Sequence, residues 1–245
     1  MKTKAWKLNL AALFLVGATT PAANAQDKWE FTLAPLYLWA TGIEGESQIG
    51  PITAPVNITF SDALDNLESI LTLHFEANKG QWGVIADTMH IGLAPESTLP
   101  TGAALAIDIT NNIYELGGIY RPNPSGAVEL LFGVRASDFK LETTVAPAPK
   151  RTIADESWID AYIGLRAAAQ LSEKWKFMIR GDIGAGDSDF VWNAVATIDY
   201  RFTKNFSVLA GYRWLDYDYE TGTGASRFTY DVTYQGPALA AVFYW

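Results

Sequence analysis

The chain has 245 residues, 18 basic and 27 acidic side chains, a formal net charge of −9, and no cysteine. The acidic balance argues against nucleic acid as a partner, and the missing thiols exclude disulfides and thiolate chemistry and speak against a structural zinc site. No apolar run approaches the roughly 18 residues of a membrane-spanning helix, yet mean hydropathy is close to zero and there are 9 Trp, 11 Tyr and 12 Phe.

Lys2, Lys4 and Lys7 precede an apolar stretch from Leu8 to Ala18, followed by Thr19, Thr20, Pro21 and the small-residue site Ala23-Asn24-Ala25. This is the pattern of a secretory signal peptide, residues 1–25, with cleavage after Ala25. Its removal takes three lysines and no acids, so residues 26–245 hold 15 basic against 27 acidic side chains, net −12. No repeat, charge block or low-complexity linker divides that stretch, which is read as a single domain.

Ten strands are predicted, at 29–41, 68–78, 81–93, 105–121, 127–142, 157–171, 175–185, 190–202, 206–219 and 227–245. Short connections alternate with longer ones near 42–67, 94–104, 143–156 and 220–226, with 186–189 the shortest of that set. In the 157–171 strand, Ile159, Ala161, Ile163, Leu165, Ala167, Ala169 and Leu171 make one apolar face, opposite Asp160, Tyr162, Arg166 and Gln170. The strands often exceed ten residues, whereas soluble strands average five or six. Short turns at one end, longer loops at the other and an even count describe an all-β, closed antiparallel up-and-down transmembrane β-barrel. Ten strands is the expectation, with eight or twelve as alternatives.

Aromatic residues cluster at strand ends. Trp82, Tyr120, Trp175, Tyr200, Phe202, Phe206 and Trp245 lie by the short turns, and Tyr37, Trp39, Trp192, Tyr212 and Trp214 at the other end. Two such groups are expected to form girdles at two membrane interfaces.

Glu76, Glu115, Glu129, Arg135, Asp160, Arg166, Arg180, Asp182, Asp199, Arg201 and Arg213 all fall opposite the apolar face. Both signs occur on neighbouring strands, and a buried charge persists only when paired and hydrogen-bonded. These eleven are expected to form an ion-pair network that fills the lumen or leaves only a narrow path.

Only two histidines exist. His74 shares a face with Thr72 and Glu76, which places it in the lumen; His90 lies near the outer end of its strand, three residues after Asp87. The Gly-x-Ser-x-Gly elbow is absent, and no strand brings a Ser and a carboxylate to one His in sequence. No enzyme, catalytic residue or cofactor is expected, and the histidines are read as structural or interfacial. Asp216, Asp218 and Glu220 alternate on one face, and Asp182, Asp187 and Asp189 cluster near a loop. These are weak oxygen-ligand candidates for Ca²⁺ or Mg²⁺, and no metal site is assigned.

The 42–67 connection is too long for a plain loop. Val56 to Phe60 alternates, then Ser61 is placed to cap a short helix carrying Ala63, Leu64 and Leu67. The segment is expected to fold inward as a partial plug or to lie over the mouth. Pro35 and Pro237 fall in the first and last strands, which meet at the seam, and each removes one ladder donor. A bulge, or a weakened seam that opens laterally, accounts for them.

The closing strand runs to the last residue, with Phe243 and Trp245 on one face. Ala240, with Gly236 nearby, stands where a glycine is expected in a barrel-closing signal. With Gly211-Tyr212-Arg213-Trp214-Leu215-Asp216-Tyr217-Asp218 and the strand after Gly236-Pro237, the chain resembles small Gram-negative outer-membrane β-barrel proteins, the class of OmpA membrane domains and OmpW-like proteins. The resemblance covers the architecture of nearly all of residues 26–245. It implies location in the cell outer membrane, outer-membrane lipid and lipopolysaccharide as partners, and a barrel-assembly machinery that reads Phe243 and Trp245. It transfers no catalytic residue. The function expected is a structural or narrow-pore barrel with a charged, largely plugged lumen. The alternative is a soluble periplasmic lipocalin-like barrel binding an apolar ligand, and a rim-located enzyme comes third. The first two place the apolar face oppositely, toward lipid or inward.

Overall fold

The computed structural model of the protein describes residues 28–123 and 127–245. The expected signal peptide, 1–25, lies outside the described residues. In chain order the elements are β1 (Glu30–Pro35), β2 (Leu38–Trp39), β3 (Gly42–Ile49), β4 (Ile52–Ile58), α1 (Phe60–Asp65), β5 (Leu67–Lys79), β6 (Trp82–Leu93), β7 (Glu96–Thr98), β8 (Ala104–Tyr120), β9 (Val128–Val145), β10 (Arg151–Gln170), β11 (Trp175–Gly186), β12 (Phe190–Thr203), β13 (Phe206–Thr221) and β14 (Phe228–Tyr244). A 3₁₀ turn, Gly224–Ser226, links the last two strands.

Ten of these strands form an antiparallel ring in the order β1, β5, β6, β8, β9, β10, β11, β12, β13, β14. The ring closes where Thr32 pairs with Tyr244 and Leu33 with Phe243. Each wall strand matches one predicted from the alternation of the sequence. The strands joined by long connections continue past the predicted ends. β9 runs 18 residues and β10 runs 20, where about 9–11 suffice to cross a bilayer. The excess carries the sheet beyond the apolar band at the loop end.

Period-two alternation decides what faces where. On β10, Ile159, Ile163 and Leu165 stand outward, Ile163 with 63% of its surface free, while Trp158, Asp160 and Tyr162 are buried inside. Leu116 on β8 and Ile183 on β11 likewise stand outward, and Arg135 on β9 is wholly enclosed. The lipocalin-like alternative required the apolar face inside, so it is overturned. A belt of outward Leu, Ile, Val and Phe around the wall far exceeds the apolar patch that a soluble protein tolerates in water.

The first strand is broken by a bulge. Leu33 and Leu38, five residues apart, pair with Phe243 and Leu239, four residues apart. The extra residue falls at Pro35 and Leu36, and Leu36 adopts the left-handed region at φ 54°, uncommon for a branched side chain. One inserted residue inverts the inward–outward phase of everything after it. Tyr37 and Trp39 are therefore buried inside, not in the outer girdle where the unbroken alternation put them. Trp192, Tyr212 and Trp214 do lie on the outer wall, with Tyr212 and Trp214 rings 4.4 Å apart. At the turn end, contacts run from Trp82–Tyr120 at 4.7 Å through Trp175–Tyr200 at 4.7 Å to Phe206–Phe243 at 5.4 Å and Trp245–Phe31 at 5.5 Å.

The 42–67 segment neither plugs the lumen nor covers the mouth as a loop. Residues 42–58 form the β3–β4 hairpin, turned at Gly50 with φ 58°. β3 adds to the loop-end half of β14, from Gln235–Gly42 to Phe228–Ile49. β14 thus pairs with β1 and β2 in its turn-end half and with β3 above. Among the described residues the other edge of β4 has no strand partner, and β5 pairs with β1 only as far as Leu73–Pro35. The wall is therefore split at the loop end between β4 and β5, where α1 sits. The cap of α1 is Thr59, two residues before the expected Ser61. Thr59 Oγ1 accepts from the Asp62 backbone N–H at 3.2 Å, while Asp62 accepts from the Thr59 N–H at 3.0 Å, a reciprocal capping box.

Candidate functional site

The chemistry of the lumen is layered along the barrel axis. All eleven singled-out charges lie on strand positions that face inward. At mid-height, Arg135 donates to Glu115 at 2.9 Å and to Asp182 at 2.8 Å. Arg180 reaches the same two carboxylates at 2.6 and 2.9 Å. Two cations and two anions make this layer neutral, which is how full enclosure becomes tolerable. The Tyr162 hydroxyl donates to Glu115 at 3.1 Å, and its ring lies beneath both guanidinium groups, 5.1 and 5.6 Å away. Asn193 donates to Asp182 at 2.8 Å, and Arg213 donates to Asn193 at 3.0 Å while stacking on Trp39.

One layer nearer the turn end, Arg166 bridges Glu76 and Glu129, and Arg121 donates to Glu129 at 2.7 Å. Arg121 escaped the sequence reading because it sits at the junction of β8 and its turn, where alternation gives no signal. His74 lies between Asp87 at 2.9 Å and Glu76 at 3.1 Å, and Tyr37 donates to Asp87 at 2.8 Å. Asp87 therefore serves His74, directly opposite on β5, and not His90. Asp199 accepts from Ser207 and Tyr244, and Arg201 covers the Tyr244 ring at 4.1 Å. Asp160 stands apart from the ion pairs; it accepts from the Ser188 backbone N–H at 3.0 Å.

Below the mid-height layer is a cavity of about 600 Å³, bordered by Glu76, Arg166, Lys176, Asp199, Arg201 and Tyr244 among others. Lining residues Glu30, Lys204 and Trp245 place its mouth at the end that carries the short turns. Above the layer the lumen is filled by aromatic side chains. Trp158 stacks on Tyr219 at 4.5 Å and meets Tyr217 edge-on at 5.5 Å, and Phe139, Phe228, Tyr230 and Tyr234 complete the packing. The sequence signal for this plug was present as Phe228, Tyr230 and Tyr234 at period two. It faces inward at the loop end, so the polar-lumen expectation hid it.

The acidic candidates do not assemble into a metal site; among the described residues no group of three or more His, Cys, Asp or Glu could hold a metal ion. Asp216, Asp218 and Glu220 alternate with the buried Leu215, Tyr217 and Tyr219 and so face outward beyond the apolar band. Asp216 accepts from Thr233, and Glu220 pairs with Arg227 at 3.0 Å. Asp218 pairs across from Asp231; burial first, then Asp231, Asp189, Asp216 and Glu220, hold its carboxyl above the usual range. Asp182, expected beside Asp187 and Asp189, belongs to the lumen, while Asp187 accepts from the Ile159 backbone at 2.9 Å.

His90 faces outward on β6. Its Nε2 is 2.9 Å from Ser69 Oγ, and its Nδ1 is 2.7 Å from Asn112 Oδ1.

No protein-family model matches the chain, and no curated protein matches it by sequence. Among solved structures it is similar to Ail, the attachment invasion locus protein of Yersinia pestis, at 12% identity over 89% of this chain and 99% of that one, with a TM-score of 0.39. The outer membrane protease OmpT from Escherichia coli aligns at 8% identity over 93% and 99%, TM-score 0.47. The translocator domain of the autotransporter NalP from Neisseria meningitidis aligns at 10% over 88% of each, TM-score 0.40. A closed ring of ten antiparallel strands with an apolar exterior and a charged interior is the fold of small outer-membrane barrels, and that assignment rests on the strand pairing itself.

Proposed function

We propose that this protein is an integral outer-membrane β-barrel that does not conduct, forming a rigid wall in the bilayer with its loop end presented outward. The observation that carries the reading is the pair of seals in series. A charge-balanced, enclosed ion layer crosses the lumen at Arg135, and the buried aromatic cluster around Trp158 lies directly above it. An ion entering from the turn end meets a dead end. Both termini of the ring and all the short turns lie at that end, the periplasmic one in this class of fold. On this reading the outward belt contacts outer-membrane lipid, the loop-end charges meet lipopolysaccharide, and Phe243 and Trp245 on the closing strand are read by the barrel-assembly machinery.

Two measurements test this. Folded protein from the outer-membrane fraction should migrate faster unboiled than boiled on a denaturing gel, the mark of a closed barrel. In planar bilayers at 1 M KCl, it should add no stepwise conductance. Steady steps from the wild-type protein would replace the sealed barrel with a narrow pore. A single gel band released with periplasmic contents would remove it from the membrane altogether.

A further inference from the structure

The lipid-facing wall carries one constellation that neither the lumen nor the apolar belt explains. On β5 the outward positions read Leu73, Leu71, Ser69; on β6, Trp82, Val84, Ala86, Thr88, His90; on β8, Leu116, Tyr114, Asn112. Three apolar faces thus end at the same height in a serine, a histidine and an asparagine. His90 pairs directly across from Asn112 on one side and from Leu71, two residues after Ser69, on the other. Asn112 Oδ1 accepts at 2.7 Å, which requires hydrogen on His90 Nδ1 and leaves Nε2 as an acceptor, 2.9 Å from the Ser69 hydroxyl. That is the arrangement of a nucleophile, a general base and the group that fixes the base's tautomer.

Three local features support it. The β5–β6 register slips between Leu67 and Ser69, and bulges of this kind re-aim side chains beside active sites. Gly92 stands across from Ser69, and a Cβ there would come within 2.5 Å of Ser69 Oγ, so glycine leaves the space that the hydroxyl uses. Finally, the Leu36 N–H bonds the Thr72 carbonyl at 2.8 Å, so the Thr72 backbone faces β1. By period two the Ile70 backbone faces the same way, into the split where β1 no longer runs. In the proposal below its N–H, next in sequence to Ser69, serves as the oxyanion donor.

We propose that Ser69, His90 and Asn112 hydrolyse acyl esters of outer-leaflet lipids. The substrate class follows from depth, and so rests on the membrane placement proposed above. Eight residues separate Trp82 in the turn-end girdle from His90; at ~3.3 Å per residue and a tilt of ~40°, His90 stands roughly 20 Å up an apolar band about 25 Å tall. This is the level where acyl chains meet their ester carbonyls. Leu71, Leu73, Tyr114 and Leu116 below offer an exposed apolar wall for the chain, and Asp108 above is paired with Lys150 at 3.0 Å, at headgroup height.

In the reaction, Ser69 Oγ attacks the ester carbonyl as His90 Nε2 takes its proton. The tetrahedral oxyanion collapses, the carbon–oxygen bond to the lipid alcohol breaks, and that alcohol leaves with the proton from His90. Water, deprotonated by the same nitrogen, then attacks the acyl-Ser69 ester, releasing a fatty acid and restoring the serine. The sum is lipid ester plus water giving fatty acid plus de-acylated lipid.

The test uses the full chain folded in detergent micelles, with its fold verified by heat-modifiable mobility. A fluorophosphonate probe should label Ser69, as read by peptide mass spectrometry. S69A should abolish labelling, and H90A should slow it by on the order of 10²-fold or more. S157A, elsewhere on the outer wall, should label like the wild type. N112A should slow labelling and shift its pH profile, and N112D should restore both. Fatty acid release from phosphatidylglycerol vesicles and from lipopolysaccharide bilayers then distinguishes the two ester sources. Folded protein whose Ser69 stays unlabelled, or whose labelling ignores H90A, overturns the triad. Labelling at Ser69 without acid release from either bilayer overturns lipid as the substrate. Protein that fails to float with vesicles defeats the membrane placement alone, and labelling in detergent still decides the triad.

Discussion

Tyr162 occupies the space that Gly117 leaves open: a Cβ on Gly117 would stand 2.2 Å from the Tyr162 hydroxyl. Gly117 pairs across from Gly133, where a Cβ would press on the Tyr162 ring at 2.9 Å. The two glycines form a notch in the inner wall, and the ring filling it supports both guanidinium groups of the mid-height layer.

Gly117→Val should therefore displace Tyr162 and destabilise the barrel by about 1–3 kcal/mol. Urea titration in micelles, followed by tryptophan fluorescence, checks this. The double variant with Tyr162→Ala should lose less than the sum of the two single changes, because the ring's share of the clash goes with it while that with the Phe132 carbonyl, 2.8 Å from a Cβ there, stays.

Arg135→Ala leaves Glu115 and Asp182 with Arg180 as their remaining ion-pair partner, at the closed inner end of the cavity. Breaking one partner out of an enclosed pair costs about 3–5 kcal/mol. The same titration should show that loss, whereas Arg227→Ala, which breaks an exposed pair with Glu220, should change stability by under ~1 kcal/mol.

Trp158→Ala removes the centre of the loop-end plug. We expect a loss of about 3–5 kcal/mol together with conductance that the wild type lacks. A variant that unfolds more easily yet stays silent in the bilayer would place the seal in the ion layer alone.

At the loop-end rim, Asp218 and Asp231 are like charges directly opposite on β13 and β14. With the Asp218 carboxyl raised in the folded state, the unfavourable contribution is absent below the ordinary aspartate value, near ~3.9. It grows as pH rises from there and is complete above the folded value. Asp218→Asn should thus stabilise at pH 7 by on the order of 0.5 kcal/mol, lose its advantage in acid, and lose in high salt the part that comes from the neighbouring carboxylates. Thermal melts at several pH values read this directly.

The opposite sign holds at α1. Thr59 hydrogen bonds hold the Asp62 carboxyl below the usual range, so the capping box contributes above the unfolded aspartate value and is lost as pH falls through the folded one. Protection factors in residues 59–66, the exchange rates corrected for the intrinsic pH dependence, should fall in acid for the wild type, and Thr59→Ala should lower them already at neutral pH.

The wall was legible because period two is a strong signal when sustained for a dozen residues, as in β10 from Ile159 to Leu171. The eleven lumen charges followed from the same phase. What stayed hidden depended on interruptions or on pairing. The bulge at Leu36 inverted Tyr37 and Trp39, and no local feature except Pro35 announced it. The β3–β4 hairpin carries Gly and Glu where apolar residues would mark a strand, since it stands beyond the bilayer. Asp87 lies three residues from His90 in sequence, and only the strand register brings it to His74. Ser69, His90 and Asn112 lie on three strands, and only their shared height, the place where three apolar faces stop, links them in the sequence.

The hairpin that extends β14 also alters how the chain meets other chains. Without β3, the eight residues from Phe228 to Gln235 would present a bare strand edge, a template for edge-to-edge association. β3 covers it and β4 becomes the rim, seven residues long with Pro55 inside it. A proline offers no N–H to an incoming strand. The hairpin has thus moved the open ladder of β14 to a rim that a proline interrupts, and crowding of many copies in one membrane need not lead to fibres through that edge.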